Sequence, residues 1–275
     1  CRGSCRCRGF QSASVLQLNA LALVTFFTYS WGMNSFLLVS TRPEDEAVAA
    51  EYASFLKVTG LEPEELEQVR LDMLGLPEIN VRAYAGIIVA GSVYGTTTPD
   101  ETKSPSQKRA EAELCRLLAQ IVEAGTPCLT TGYGAEVATV LMGGTVTRRW
   151  AEYPQLTEIF LTEAAFEEPL LAGFPRSFMT FVSHNEAAEE LPEGAVLLAK
   201  SITCPVQMVK LAKDFYATQF NPEIDSDAIR MVLERYEDAG YPGTDDLDSL
   251  SHIAHLGEAR HQAGKVAANF VKLYR

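Results

Sequence analysis

From Ser35 onward, short apolar runs alternate with longer stretches of helical period. Phe36–Ser40 (FLLVS) is almost wholly apolar, as a strand buried on both faces must be, and it predicts the first strand. Thr41-Arg-Pro-Glu44 has the spacing of a capping box, and Val48, Tyr52, Phe55 and Leu56 recur on one face of the helix it would start. Val69–Met73 is a candidate second strand. Gly86–Ala90 is a buried third, ending in the turn Gly91-Ser-Val-Tyr-Gly95. Ala110, Leu114, Leu117, Leu118 and Ile121 keep helical phase up to a stop at Gly125. Pro127–Thr131 is a further strand, which turns at Gly132-Tyr-Gly134 into a helix running to Leu141.

This rhythm predicts a parallel sheet with helices on both faces. The pattern then tightens. Thr145–Trp150, Leu156–Thr162, Phe178–Ser183, Ala195–Lys200, Val206–Leu211 and Phe215–Phe220 are short strands at close spacing, which predicts an antiparallel or mixed extension. Two helices close the chain, one after Asp225 with Ile229, Val232, Leu233 and Tyr236 in phase, and one around Ser251–Leu273. There is no repeat and no long linker, so one domain is expected over residues 33–275.

Charge narrows the partners. The 275 residues carry 23 basic and 36 acidic side chains, a net charge of −13. Such a surface repels phosphate backbones and anionic lipid, so neither nucleic acid nor a membrane is expected, and small molecules or other proteins are. Residues 1–32 differ: they hold Arg2, Arg6 and Arg8, no acid, and Cys1, Cys5 and Cys7. Their apolar stretch from Val15 to Phe27 is short and broken by Gln17 and Asn19, and Met33 directly precedes the first strand. They are read as an extension outside the fold, with a targeting segment as the alternative. Cys115, Cys128 and Cys204 lie far apart in apolar surroundings, which fits core thiols in a reducing, cytoplasmic setting and not a disulfide framework.

In open α/β sheets chemistry gathers where strands end. Three such turns stand out: Gly91-Ser92, Gly132-Tyr-Gly134 and Gln219-Phe-Asn-Pro-Glu223. A glycine-flanked turn from strand into helix is what a nucleophile elbow needs, since glycine permits strained dihedrals and the helix start offers amide donors. Gly-x-Gly at a strand-to-helix junction is also common without any function.

Taken in order, four segments resemble the class I glutamine amidotransferase family, of the GMP synthase glutaminase-domain type. Tyr84-Ala-Gly-Ile-Ile-Val-Ala-Gly-Ser92 is similar to the segment ending in the family's oxyanion-hole glycines. Pro127-Cys-Leu-Thr-Thr-Gly-Tyr-Gly-Ala-Glu136 is similar to its nucleophile strand and elbow. Ser183-His-Asn-Glu186 with Leu191-Pro-Glu-Gly194 resembles its S-H-G-D…L-P-x-G block, and Gln219-Phe-Asn-Pro-Glu223 its Q-F-H-P-E. The resemblance implies a flavodoxin-like, three-layer α/β sandwich with a mixed, mostly parallel central sheet. It implies glutamine or a related small molecule as ligand, a synthetase partner or a homo-oligomer, and no cofactor or metal.

It also assigns positions. Gly132 stands where the family has its cysteine nucleophile, Asn221 where it has the histidine base, and Glu223 matches the glutamate that orients that histidine. Gly91, Ser92, Tyr133, Glu136, Ser183 and His184 fall at substrate-binding positions. Glycine has nothing to attack with, and an asparagine amide does not take up a proton near neutral pH. Glutamine hydrolysis is therefore not expected, and a ligand-binding or regulatory role is; the alternative is altered or partner-assisted chemistry. Glu136 replaces a customary glutamine and is expected to bring charge into the site. Cys128, four residues before Gly132, is too far along an extended strand to substitute, and Thr130 and Thr131 lack a base.

The remaining candidates read as ordinary structure. His252 and His255 share one helix face without an obvious third ligand, and His261 follows in the same segment. Asp245, Asp246 and Asp248 form an acidic loop, and Gly143-Gly144 a turn. There is no Walker loop and no G-x-G-x-x-G at a strand-to-helix turn.

Overall fold

A computed structural model describes residues 35–225 and 261–275. The extension 1–32, the helix expected after Asp225, the acidic loop and His252/His255 lie outside the described residues. All described residues fall in one compact unit, Trp31–Arg275.

Among the described residues eleven strands form, nine of them in one sheet. They are β1 (Phe36–Ser40), β2 (Leu66–Arg70), β3 (Gly86–Val89), β4 (Cys128–Thr131), β5 (Thr145–Thr147), β6 (Glu152–Leu161), β7 (Ser177–His184), β8 (Ala187–Glu190), β9 (Val196–Lys200), β10 (Met208–Ala212) and β11 (Phe215–Thr218). The sheet order is β2-β1-β3-β4-β11-β10-β9-β6-β7, and β5 pairs with β8 in a separate ribbon. β2, β1, β3, β4 and β11 pair in parallel, while β10, β9, β6 and β7 alternate antiparallel. Only β10 and β6 therefore run against the rest, and the sheet is mixed but mostly parallel. At its outer edge Met179 of β7 makes an isolated parallel bridge to His261, and Gln262 donates its amide to the Met179 carbonyl at 3.1 Å.

The α-helices among the described residues are α1 (Asp45–Thr59), α2 (Leu71–Leu74), α3 (Pro105–Ala124), α4 (Tyr133–Leu141) and α5 (Gly264–Tyr274). Because β1 and β3 are buried throughout, alternate residues feed two cores. Phe36, Leu38 and Ile88 pack with Phe55 of α1 and Phe270 of α5 on one face. Leu37, Val39, Ile87 and Val89 pack with Leu114, Leu117 and Ile121 of α3 and Val137 of α4 on the other. That makes three layers. α3 starts at a true cap: the Ser104 hydroxyl accepts from the Gln107 amide at 3.1 Å, and Pro105 fills the first turn where an amide would be unbonded. It ends at Gly125 in the left-handed region (φ +67°).

Two sequence expectations are corrected, and one strand is added. The Thr41–Glu44 box does not form: α1 begins at Asp45, and the Thr41 hydroxyl instead donates to the Gly91 carbonyl at 3.0 Å, tying the end of β1 to the turn after β3. The second strand is Leu66–Arg70, and the apolar residues after it turn helical in α2. β8 is an addition, a short Ala-Ala-Glu-Glu strand with no alternation to mark it. No described helix is long and apolar enough to cross a membrane.

Candidate active site

Four segments converge beyond the ends of the parallel strands. β4 delivers Gly132, whose backbone (φ +47°, ψ −119°) takes a strained conformation that an L side chain rarely adopts. β3 delivers Gly91 and Ser92, β11 runs on into Gln219, Asn221 and Glu223, and β7 ends at His184. Gly132 and Gly91 face Asn221 closely: a Cβ at 132 would lie 3.0 Å from Asn221 Oδ1, and one at 91 only 2.7 Å. Gly134 seals the turn from behind, since a Cβ there would meet Val89 Cγ1 at 2.8 Å and its carbonyl oxygen at 3.1 Å. Two glycines thus let the elbow form and press against β3.

The segments enclose a cavity of about 330 Å³. Gly91, Ser92, Gly132, Tyr133, Glu136, Ser183, His184 and Asn221 all line it, so eight of the nine site positions expected from sequence meet there. Glu223 does not; it is fully buried behind the wall. Cys128 is buried among apolar side chains of the α3/α4 core, and burial pushes its thiol far up, so it stays protonated there.

Two acids shape the cavity. Glu186 accepts from the backbone amides and the hydroxyls of both Thr96 and Thr97. Burial alone would raise it, but a hydrogen bond from Glu136 and those threonine donors outweigh burial and hold it below the ordinary carboxyl value. Glu136 goes the other way. Burial, the Glu186 charge and its donation to Glu186 push it well above the ordinary value, against a weaker pull from Gln219. Gln219 Nε2 bridges the pair, donating to Glu136 Oε1 and to the Glu186 carbonyl, both at 3.0 Å. Position 136 thus holds its proton to a pH well above the ordinary carboxyl range. Against the expected charge at 136, burial opposes ionisation there, and the lowered acid of the pair is Glu186.

Behind the wall, Glu223 has one oxygen, Oε2, with no hydrogen-bond partner. Burial, and next the Glu51 carboxyl, push it up to about 8. Glu51, itself raised by burial, takes the Arg42 guanidinium at 2.9 Å and the Ser40 hydroxyl at 2.7 Å. Asn221 Oδ1 is likewise buried without a partner. His184 is held at both nitrogens, Nε2 against Glu152 Oε2 at 2.7 Å and Nδ1 against the Glu186 carbonyl at 3.1 Å.

Sequence reasoning missed Glu186, Thr96, Thr97, Arg42 and Arg148. Glu186 sits inside the Ser183–Glu186 motif and could have been found there. Arg148, whose Nε donates to Thr97 Oγ1 at 3.0 Å, carries no local signal.

Known proteins bear on this arrangement. The family described as glutamine amidotransferase class-I matches residues 69–234, more than half of the chain. A GMP synthase [glutamine-hydrolyzing] from Lactobacillus delbrueckii subsp. bulgaricus is 36% identical over 120 residues, which is 42% of this chain and 23% of that protein. The matched stretch thus spans less than a quarter of this curated relative. A solved glutamine amidotransferase from Thermotoga maritima superposes with a TM-score of 0.69 at 16% identity, covering 87% of this chain and 96% of that one. A chain of PurLQS from the same organism superposes at 0.53, with 12% identity and 88% and 99% coverage. At those identities the two solved structures speak for the fold alone, and the fold they share is the one described above. With the profile match over residues 69–234 and the four motifs in their order, this chain belongs to the class I glutamine amidotransferase family.

Proposed function

We propose that this domain binds a small molecule bearing a primary carboxamide, glutamine or a close relative, and holds it without hydrolysing it, as a ligand-binding or regulatory module. The observation that carries the reading is the facing pair Gly132 and Asn221. The family's reaction needs a thiolate at the first position and an imidazole at the second. Here the first has no side chain, and the second offers an amide that does not relay protons at neutral pH.

What remains suits recognition. The amide of Tyr133, at the start of α4, is placed as a donor for a ligand carbonyl, with the positive end of the helix behind it. Asn221 Oδ1 is an acceptor for the ligand's NH₂, and Glu186 keeps a full charge in the wall for a ligand ammonium. Ser92, Ser183 and His184 complete the lining in this reading, and Glu223, with no imidazole to orient, has only a packing role. The partner would be a synthetase-type protein or a second copy of the chain, as the relatives' additional length suggests.

Calorimetry with glutamine and an ammonia-release assay on the same sample test the proposal. Saturable binding with no ammonia above background is expected. Turnover of about 1 s⁻¹ or faster, alone or with an added partner, would overturn it in favour of altered or partner-assisted hydrolysis.

A further inference from the structure

Behind the cavity wall, His184 belongs to a second cluster of different chemistry. Glu152 opens β6 and His184 closes β7, and the two are direct cross-strand partners. Cys204 comes from the β9–β10 connection, where a tight turn fixes it: its amide donates to Ser201 Oγ at 2.9 Å and its carbonyl accepts from the Ser201 amide at 2.9 Å. One ligand atom from each of the three lies within 4.8 Å of the other two. Glu152 and Cys204 are buried, and His184 Nδ1 faces the Glu186 carbonyl, which leaves Nε2 directed into the cluster. Metal-bound histidines are habitually oriented by such a bond from the second ring nitrogen to a carbonyl.

An independent observation points to a ligand. Gln207 is fully buried, and its Nε2 donates to Glu152 Oε2 at 2.6 Å, which places its amide in the cluster. Its Oε1 has no hydrogen-bond partner. A buried amide oxygen without a donor is costly in a hydrogen-bonded network but useful as a fourth ligand.

We propose that Glu152 Oε, His184 Nε2 and Cys204 Sγ hold a divalent cation of the zinc class, and that Gln207 completes a four-coordinate site by turning its amide so that Oε1 takes the place of Nε2, which now faces Glu152 and Ser201. One sulfur, one imidazole and two oxygens suit a borderline metal over calcium or magnesium. One thiolate and one carboxylate together balance a charge of +2. Coordination replaces the Cys204 thiol proton and the proton between His184 Nε2 and Glu152 Oε2, and both pass to solvent. The ion would clasp β6, β7 and the β9–β10 connection and fix the His184 ring in the cavity wall. The inference does not rest on the ligand reading above.

Cobalt(II) is the probe. The metal-free full chain is titrated with Co²⁺, and then with Zn²⁺, in a background in which Cys1, Cys5 and Cys7 are serine, so that only the other thiols can report. One equivalent of tetrahedral Co²⁺ with a thiolate-to-cobalt charge-transfer band is expected, displaced by Zn²⁺. Adding Cys204→Ser should abolish the band, Cys115→Ser should leave it, and Gln207→Leu should weaken affinity about 10–100-fold. Absence of the band in the serine background, or its survival in Cys204→Ser, would overturn the site and leave a purely hydrogen-bonded cluster.

Discussion

Glu136 and Glu186 meet as two buried carboxyls in the cavity wall, the first raised by burial and by the charge of the second, the second lowered by its hydrogen bonds against the effect of burial. A protonated carboxyl presents one donor and one acceptor, the same pair that a glutamine amide can present. Glu136 thus stands in for glutamine in shape and hydrogen bonding for as long as it keeps its proton.

That gives a pH signature. Below the ordinary carboxyl value, about 4.3, folded and unfolded chains both carry the Glu136 proton. As pH rises past it, the unfolded chain releases the proton and the folded chain keeps it, so stability falls by up to about 1.4 kcal/mol per pH unit from this group. Glu186, lowered in the fold, acts oppositely: its contribution is present above the ordinary value and is lost on acidification. Glu136→Gln should flatten the decline above pH 5 while leaving the acid limb. Urea denaturation from pH 4 to 9 checks this; parallel curves for the two proteins would refute a raised Glu136.

Glu223 carries the same sign to a stated limit, losing stability from about pH 4.3 up to about 8. Glu223→Gln removes a buried acid and supplies an N–H toward Glu51. A gain of roughly 1–3 kcal/mol at pH 8 is expected, shrinking toward pH 5. A loss at pH 8 would mean that the carboxyl has a partner beyond those described here.

Gly132→Cys places a Cβ on a backbone at φ +47° and brings it to 3.0 Å from Asn221 Oδ1. The variant should lose about 1–3 kcal/mol. Combined with Asn221→His and Glu136→Gln, the introduced thiol should react with a glutamine-like chloroketone, read as a mass shift of the intact protein. A folded triple variant that stays unlabelled, and binds no glutamine, would show a cavity shaped for another ligand.

Gly134→Ala tests how the elbow is held. Its methyl would press on the Val89 side chain and carbonyl, so α4 must shift away from β3. A loss of about 1–3 kcal/mol and weaker binding in the cavity are expected; unchanged melting and binding would show that the contact is slack.

Much of this was legible in the chain because it is local. β1, β3 and β4 announce themselves as unbroken apolar runs, and Gly91, Gly132 and Asn221 stand at the ends of such runs, where sheets of this kind place their chemistry. What stayed hidden is non-local. The Thr41 hydroxyl has the spacing of a helix cap, yet its acceptors, the Ala90 and Gly91 carbonyls, belong to the end of β3 and the turn after it, and only strand pairing brings them near. The state of Glu136 depends on Glu186, fifty residues away, and on two threonines from a third segment. β8 has neither alternation nor β-branched residues and exists because β5 lies alongside.

The bridge from Met179 to His261 has a consequence for assembly. A sheet's rim offers unpaired amides and carbonyls to any extended chain it meets, and such rims promote aggregation unless obstructed. Residues 261 and 262 lie across one rim at β7. The other, along β2, bears Glu67 and Arg70, whose charges discourage an incoming strand. Both rims of the nine-stranded sheet therefore carry an obstacle to an added strand, a backbone bridge at one and charged side chains at the other.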